Sequence, residues 1–171
     1  MLSVSPLLAS DIDAAIAVAE LRPEYFVPAG VAEIRYSMQH DPGAVARDDA
    51  GNVIGFLTWT VRRDETELMW MAALPSAATA CVSKRLFQYC FERIDLSKRV
   101  YLCTATTDSV IPDTLFNARK FERTIALFEA YGFSRTEIRP SYWGPKNHCL
   151  VMDLDARRSP LCRGIRAGAT L

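Results

Sequence analysis

Between Gly43 and Arg63 the chain reads GAVARDDAGNVIGFLTWTVRR, two apolar runs separated by DDAGN. Asp, Gly and Asn supply the backbone conformations a tight reversal needs, so this segment predicts an antiparallel hairpin. The next run, ETELMWMAALP, predicts a third strand that ends at Pro75, which has no N–H to give to a ladder. After it Val82, Leu86, Cys90 and Ile94 recur at helical spacing with Phe87 and Phe91 beside them, and RVYLCTAT returns as a strand. A helix between two successive strands implies a parallel crossover. An antiparallel meander joined to one such crossover is a mixed sheet, an α+β architecture.

The flanks fit around that frame. LSVSPLL reads as a short extended segment. DIDAAIAVAELR places Ile12, Ile16 and Ala19 on one helical face, with Ser10 as its cap, Asp13 three residues on, and Pro23 as its stop. A second helix is expected after Pro28, carrying Val31, Ile34 and Met38. FERTIALFEAYGF is a helix with Phe121, Ile125 and Phe128 on one face and Gly132 where a left-handed cap belongs. SRTEIR and NHCLVMDL close the sheet around the loop PSYWGPK. The tail from Ala156 has little periodicity and is expected to lie outside the core, dividing the chain into a domain over 1–155 and a tail over 156–171.

Composition narrows the function classes. The 171 residues suit one domain, and 50% hydrophobic content supports a packed core. Twenty basic residues balance twenty acidic ones, so no net field draws the chain to nucleic acid or to an anionic membrane. Five scattered cysteines without a CxxC spacing suggest reduced thiols and a cytoplasmic setting, and two histidines are too few to suggest a metal site. The opening MLSVSPLLASDID lacks a basic region, and its apolar run is too short for export or spanning.

The order strand, two helices, three strands, helix, strand, helix, two strands, with a proline-ended fourth strand, a small-residue turn and LFEAYGF, resembles the GNAT superfamily of acyl-CoA-dependent N-acetyltransferases. The resemblance spans roughly residues 2 to 154, and RTIALFEAYGFSRTE is its most specific piece. It implies a mostly antiparallel sheet of six to seven strands, flanked by helices, in which the parallel pair ELMWMAALP and RVYLCTAT is splayed. It also implies that the pantetheine arm of acetyl-CoA, or of another short acyl-CoA, lies in that gap on the backbone of Met71, Ala72 and Leu74. The family's diphosphate loop falls on Ala78, Cys81 and Ser83, so this loop keeps small residues and has no glycine. Unpaired N–H groups and the helix dipole attract an anion whether or not glycine is present. The residues implied around the diphosphate are Ala78, Thr79, Ala80, Cys81, Val82, Ser83 and Lys84, with hydroxyls from Thr79 and Ser83.

The same resemblance places a general base at Glu67, eleven residues before Ala78. The family's usual acid, a helix tyrosine, corresponds to Phe128, which packs on the cofactor and cannot donate a proton. Tyr131, three residues on, is the substitute candidate, with Tyr101 and Tyr142 as further phenols. Tyr25, Tyr142 and Trp143 are candidates for the acceptor wall. The implied reaction moves an acetyl or short acyl group to a primary amine, on a small molecule or a peptide, by direct attack. The alternative is a non-catalytic GNAT-like module that binds coenzyme A or another protein, because the glycines, the helix asparagine and the tyrosine all depart together. Edge strands at the chain end also suit pairing of two copies as a homodimer.

Overall fold

The computed structural model describes residues 2–75, 79–109 and 120–165, with Thr79 described in its backbone only. The elements are β1 (Ser3–Pro6), a short 3-10 turn (Ala9–Asp11), α1 (Ile12–Glu20), α2 (Pro28–His40), β2 (Gly43–Arg47), β3 (Val53–Val61), β4 (Glu65–Ala73), α3 (Thr79–Phe91), β5 (Arg99–Ala105), α4 (Phe121–Ala130), β6 (Phe133–Arg139) and β7 (Cys149–Leu154). Seven strands form one sheet in the order β1-β2-β3-β4-β5-β7-β6. Every neighbouring pair is antiparallel except β4 and β5. The expected meander and crossover are both present.

Alternation along the strands separates two cores. Ala44, Ala46, Leu57 and Leu68 pack with α3 and α4, while Val45, Phe56 and Ala72 pack with Ile16, Ile34 and Met38 of α1 and α2. The sheet is thus covered on both faces by helix pairs. On the α3 side Phe87 meets Phe91, Phe128, Tyr131 and Phe133 at centroid distances of 5.2–6.0 Å, within the range of favourable ring pairs.

Two local expectations are corrected. The cap position before α1 is Asp11 rather than Ser10, and its carboxylate turns back to the preceding 3-10 turn: the Leu8 N–H donates to Asp11 Oδ2 at 3.1 Å, and Arg47 of β2 holds the other oxygen at 2.6 Å. That ion pair draws Asp11 inward and leaves Ser10 exposed. The segment after residue 155 is also not wholly outside the core, since Leu161 and Cys162 are buried in the α3–α4 cluster. Ser159 anchors it by donating its hydroxyl to the Tyr131 carbonyl at 2.5 Å.

This anchoring explains Gly132. Its φ is +99°, and a Cβ there would lie 2.7 Å from both Cα and Cβ of Ser159. Gly132→Ala is expected to lower stability by about 1–3 kcal/mol through strain and this clash. Urea denaturation checks it, and an unchanged midpoint would show that Ser159 yields freely.

Candidate active site

The site begins with a fault in the sheet. Thr58 pairs with Trp70 and Trp59 with Leu68, so Met69 is an extra residue on β4, a bulge that bends the strand and increases its twist. Parallel pairing between β4 and β5 runs from Glu65–Arg99 to Leu68–Leu102 and stops there. Both strands continue, β4 to Ala73 and β5 to Ala105, so they diverge beyond the bulge.

Which backbone groups face the opening follows from the ladder. The Leu74 N–H donates to the Ile54 carbonyl at 2.9 Å, one step beyond the Gly55–Ala73 pair. In an antiparallel ladder this marks Ala73 as a residue that exchanges no hydrogen bond with β3, and its alternate neighbour Met71 shares that orientation. The N–H and C=O groups of Met71 and Ala73 therefore face the opening, while those of Ala72 are directed to Phe56. Across the gap, Thr106 N–H donates to the His148 carbonyl at 3.3 Å beyond the Ala105–Cys149 pair, which turns Cys103 and Ala105 back toward β4. Of the three backbones expected to hold pantetheine, only Met71 is oriented for it. Ala72 and the Leu74 amide are spent on β3, and Ala73 is the residue the sequence did not reveal.

The divergence opens a cavity of about 790 Å³. On the α3–α4 side it is lined by Met71, Ser83, Phe87, Leu102, Thr124 and Phe128. On the α1–α2 side the walls are Tyr25, Phe26, Trp70, Ala72, Cys103 and Trp143. The two lobes meet at the splayed strands. Ser83 is buried there, one turn into α3.

Of the proposed loop residues, Ala80, Cys81 and Lys84 are exposed on the first turns of α3. Val82 is buried against β3 at Gly55, where a Cβ would come within 2.7 Å of Val82 Cγ1. Gly55 is thus the glycine that lets α3 approach the sheet. Ala78 and the side chain of Thr79 lie outside the described residues. Tyr142 is exposed beside Trp143, with the rings edge-on at 5.4 Å.

The carboxylate of Glu67 is mostly buried but does not line the cavity. It sits at the closed end of the gap, where Glu67 pairs with Tyr101. Tyr101 donates its phenol to Glu67 Oε2 at 2.9 Å, and Arg62 Nη2 approaches the same oxygen at 3.4 Å. Burial, and then the hydrogen bond and charge of Glu67, hold the Tyr101 phenol well above the usual tyrosine range.

Tyr131 is placed elsewhere. Its phenol is buried and donates to the Ala80 carbonyl at 3.1 Å, tying α4 to the start of α3 rather than facing the cavity. Burial, followed by the nearby Cys81, pushes this phenol up to about 12 from 10.0. A raised phenol contributes stability that is complete below pH 10 and is lost as pH rises toward 12. Between those values the native protein is expected to lose stability faster than a Tyr131→Phe variant, as urea midpoints at stepped pH would show. Parallel slopes would contradict it.

The open end of the gap is clasped by the α1–α2 connection. Arg22 Nη1 donates to the Ala73 carbonyl at 2.5 Å and its Nε to Glu24 at 3.1 Å, while Lys120 lies 3.7 Å from Glu24. Tyr25 meets Phe121 edge-on at 5.1 Å. Phe26 and Trp70 are wall residues that sequence reasoning missed. The parity that would have assigned Trp70 to this face is broken by the bulge at Met69. Among the described residues no group of three or more His, Cys, Asp or Glu side chains could hold a metal ion, and no helix is long and apolar enough to cross a membrane.

No family model matches the sequence, and no curated protein matches it. Solved structures do match the fold. A Desulfovibrio desulfuricans structure assigned to the GNAT family superposes with a TM-score of 0.73 at 15% identity, covering 90% of this chain and 98% of that one. The ribosomal-protein-S18-alanine N-acetyltransferase of Escherichia coli gives 0.68 at 18% identity, covering 90% and 93%. An aminoglycoside 6'-N-acetyltransferase complexed with coenzyme A gives 0.63 at 17% identity, covering 88% and 95%. With its single parallel pair splayed at the centre of a seven-stranded sheet, the chain has the fold of the GNAT N-acetyltransferases.

Proposed function

We propose that this protein is an acyl-CoA-dependent N-acetyltransferase that moves the acetyl group of acetyl-CoA to a primary amine by direct attack. The observation that carries this reading is the diverged β4–β5 pair, with the backbone of Met71 and Ala73 turned into the gap beside the start of α3. A pantetheine arm carries two amides and needs donors and acceptors at strand spacing, which this edge offers through the N–H and C=O of Met71 and the N–H of Ala73, the Ala73 carbonyl being held by Arg22. The cavity volume falls within the usual range of about 300–1,000 Å³ for small-molecule sites, and a neighbour of the same fold is complexed with coenzyme A.

Acetyl-CoA supplies an activated thioester and a thiolate that leaves readily. The chain's own residues do the rest. Met71 and Ala73 orient the arm, while Phe87, Leu102 and Phe128 keep water from that lobe. The start of α3 favours the diphosphate through its dipole and unpaired amides. Glu67 is the base: held by Tyr101 and Arg62, it receives the amine proton through water, because its carboxylate stops short of the cavity. Tyr131 is assigned to fixing α3 on α4, and the thiolate departs without a proton from it.

Calorimetry with acetyl-CoA, followed by thiol release across a panel of amines, tests the proposal. Binding with amine-dependent thiol release is expected. Binding without turnover would favour the non-catalytic module, and no binding would remove both readings.

A further inference from the structure

On the reading that this cavity is a transferase site, we infer that its acceptor is a primary amine carried on an aromatic or branched apolar body with no second cation. The lobe on the α1–α2 side is walled by rings. Phe26 and Trp70 meet edge-on at 6.3 Å, Tyr25 is braced against Phe121, and Trp143, 43% exposed, lines the same cavity. Rings locked in edge-to-face pairs present flat, preorganised apolar surface, and a ligand that matches it releases water from both.

The charges around the lobe point the same way. Among the described lining residues Glu33 is the only carboxylate, set against Arg22 and Arg123. Glu33 is exposed at the rim on α2, and Arg22 is engaged by Glu24 and the Ala73 carbonyl. A polyamine or an aminoglycoside enters with several ammonium groups. Each must keep its water or find an anion, and the described lining of the cavity offers one carboxylate against two guanidiniums. An arylalkylamine brings one amine, which reacts in its neutral form, and a ring to lay against the aromatic residues that line the cavity.

Calorimetric titration of the full chain, saturated with coenzyme A, with 2-phenylethylamine, tryptamine, spermidine and kanamycin tests this directly. The aryl amines are expected to bind at least tenfold more tightly than either polycation. Trp143→Ala, on an exposed loop where folding is not at stake, is expected to weaken aryl-amine binding at least threefold, and Trp70→Phe less. Equal or tighter binding of the polycations, absence of heat from every amine, or aryl binding indifferent to both substitutions would overturn the inference. The same samples with acetyl-CoA separate the two ideas. Aryl-amine binding without thiol release upholds this lobe and removes the transferase reading, whereas thiol release driven by spermidine or kanamycin alone does the reverse.

Discussion

Replacing Phe87 by Ala is expected to cost about 3–5 kcal/mol of stability, the range for deleting a fully buried aromatic side chain. Phe87 is the hub through which α3 reaches α4 and β6: its ring meets Phe91, Phe128, Tyr131 and Phe133, and it is 1% exposed. The hole left behind is lined by rings braced on one another, which limits how far they can collapse. Phe87 also floors the cavity, so the α3–α4 lobe loosens together with the fold. Urea denaturation measures the loss. A cost below about 1 kcal/mol would mean that these rings repack around the missing one.

The second large effect is catalytic. Glu67→Gln is expected to lower kcat by about 10²–10⁴-fold, the usual contribution of a positioned general base. That is roughly 3–5 kcal/mol of transition-state stabilisation. The amide is nearly isosteric, and its oxygen can still accept the Tyr101 phenol, so acetyl-CoA affinity and folding are expected to hold. Tyr101→Phe removes the 2.9 Å hydrogen bond that positions the carboxylate, together with the longer contacts of that hydroxyl to Arg62 and Glu65, but leaves the carboxylate itself, and is expected to cost less. Steady-state thiol release with both variants checks the order, and an undiminished kcat in Glu67→Gln would remove Glu67 from the mechanism.

Much of the fold was legible because it rests on local periodicity. The hairpin of β2 and β3, the amphipathic face of α3 and the strand β5 each follow from alternation at two or at 3.6 residues, and all are present. The site was less legible because it depends on where periodicity breaks. One unpaired residue, Met69, reverses the parity of everything after it on β4. The free edge of β4 is consequently Met71 and Ala73, where the pantetheine arm is proposed to lie, and the ring on the α1–α2 side of the cavity is Trp70.

Tyr131 illustrates a second kind of break. Three residues after Phe128 it does share that face, since both rings meet Phe87, but it stands at the very end of α4. Tyr131 is its carboxy-terminal cap, with φ −89° and ψ 0°, and its phenol swings to the Ala80 carbonyl. The tail shows a third. Leu161 and Cys162 are buried by a turn anchored at Ser159, and no spacing announces such a contact.

Amide hydrogen exchange along β4, with and without saturating coenzyme A, tests the central claim most directly. If the cofactor's arm lies on the free edge of this strand, the Met71 and Ala73 amides slow at least tenfold on binding, while Ala72 and Leu74, already bonded to β3, do not change. Equal exchange at Met71 and Ala73 in both samples would contradict it.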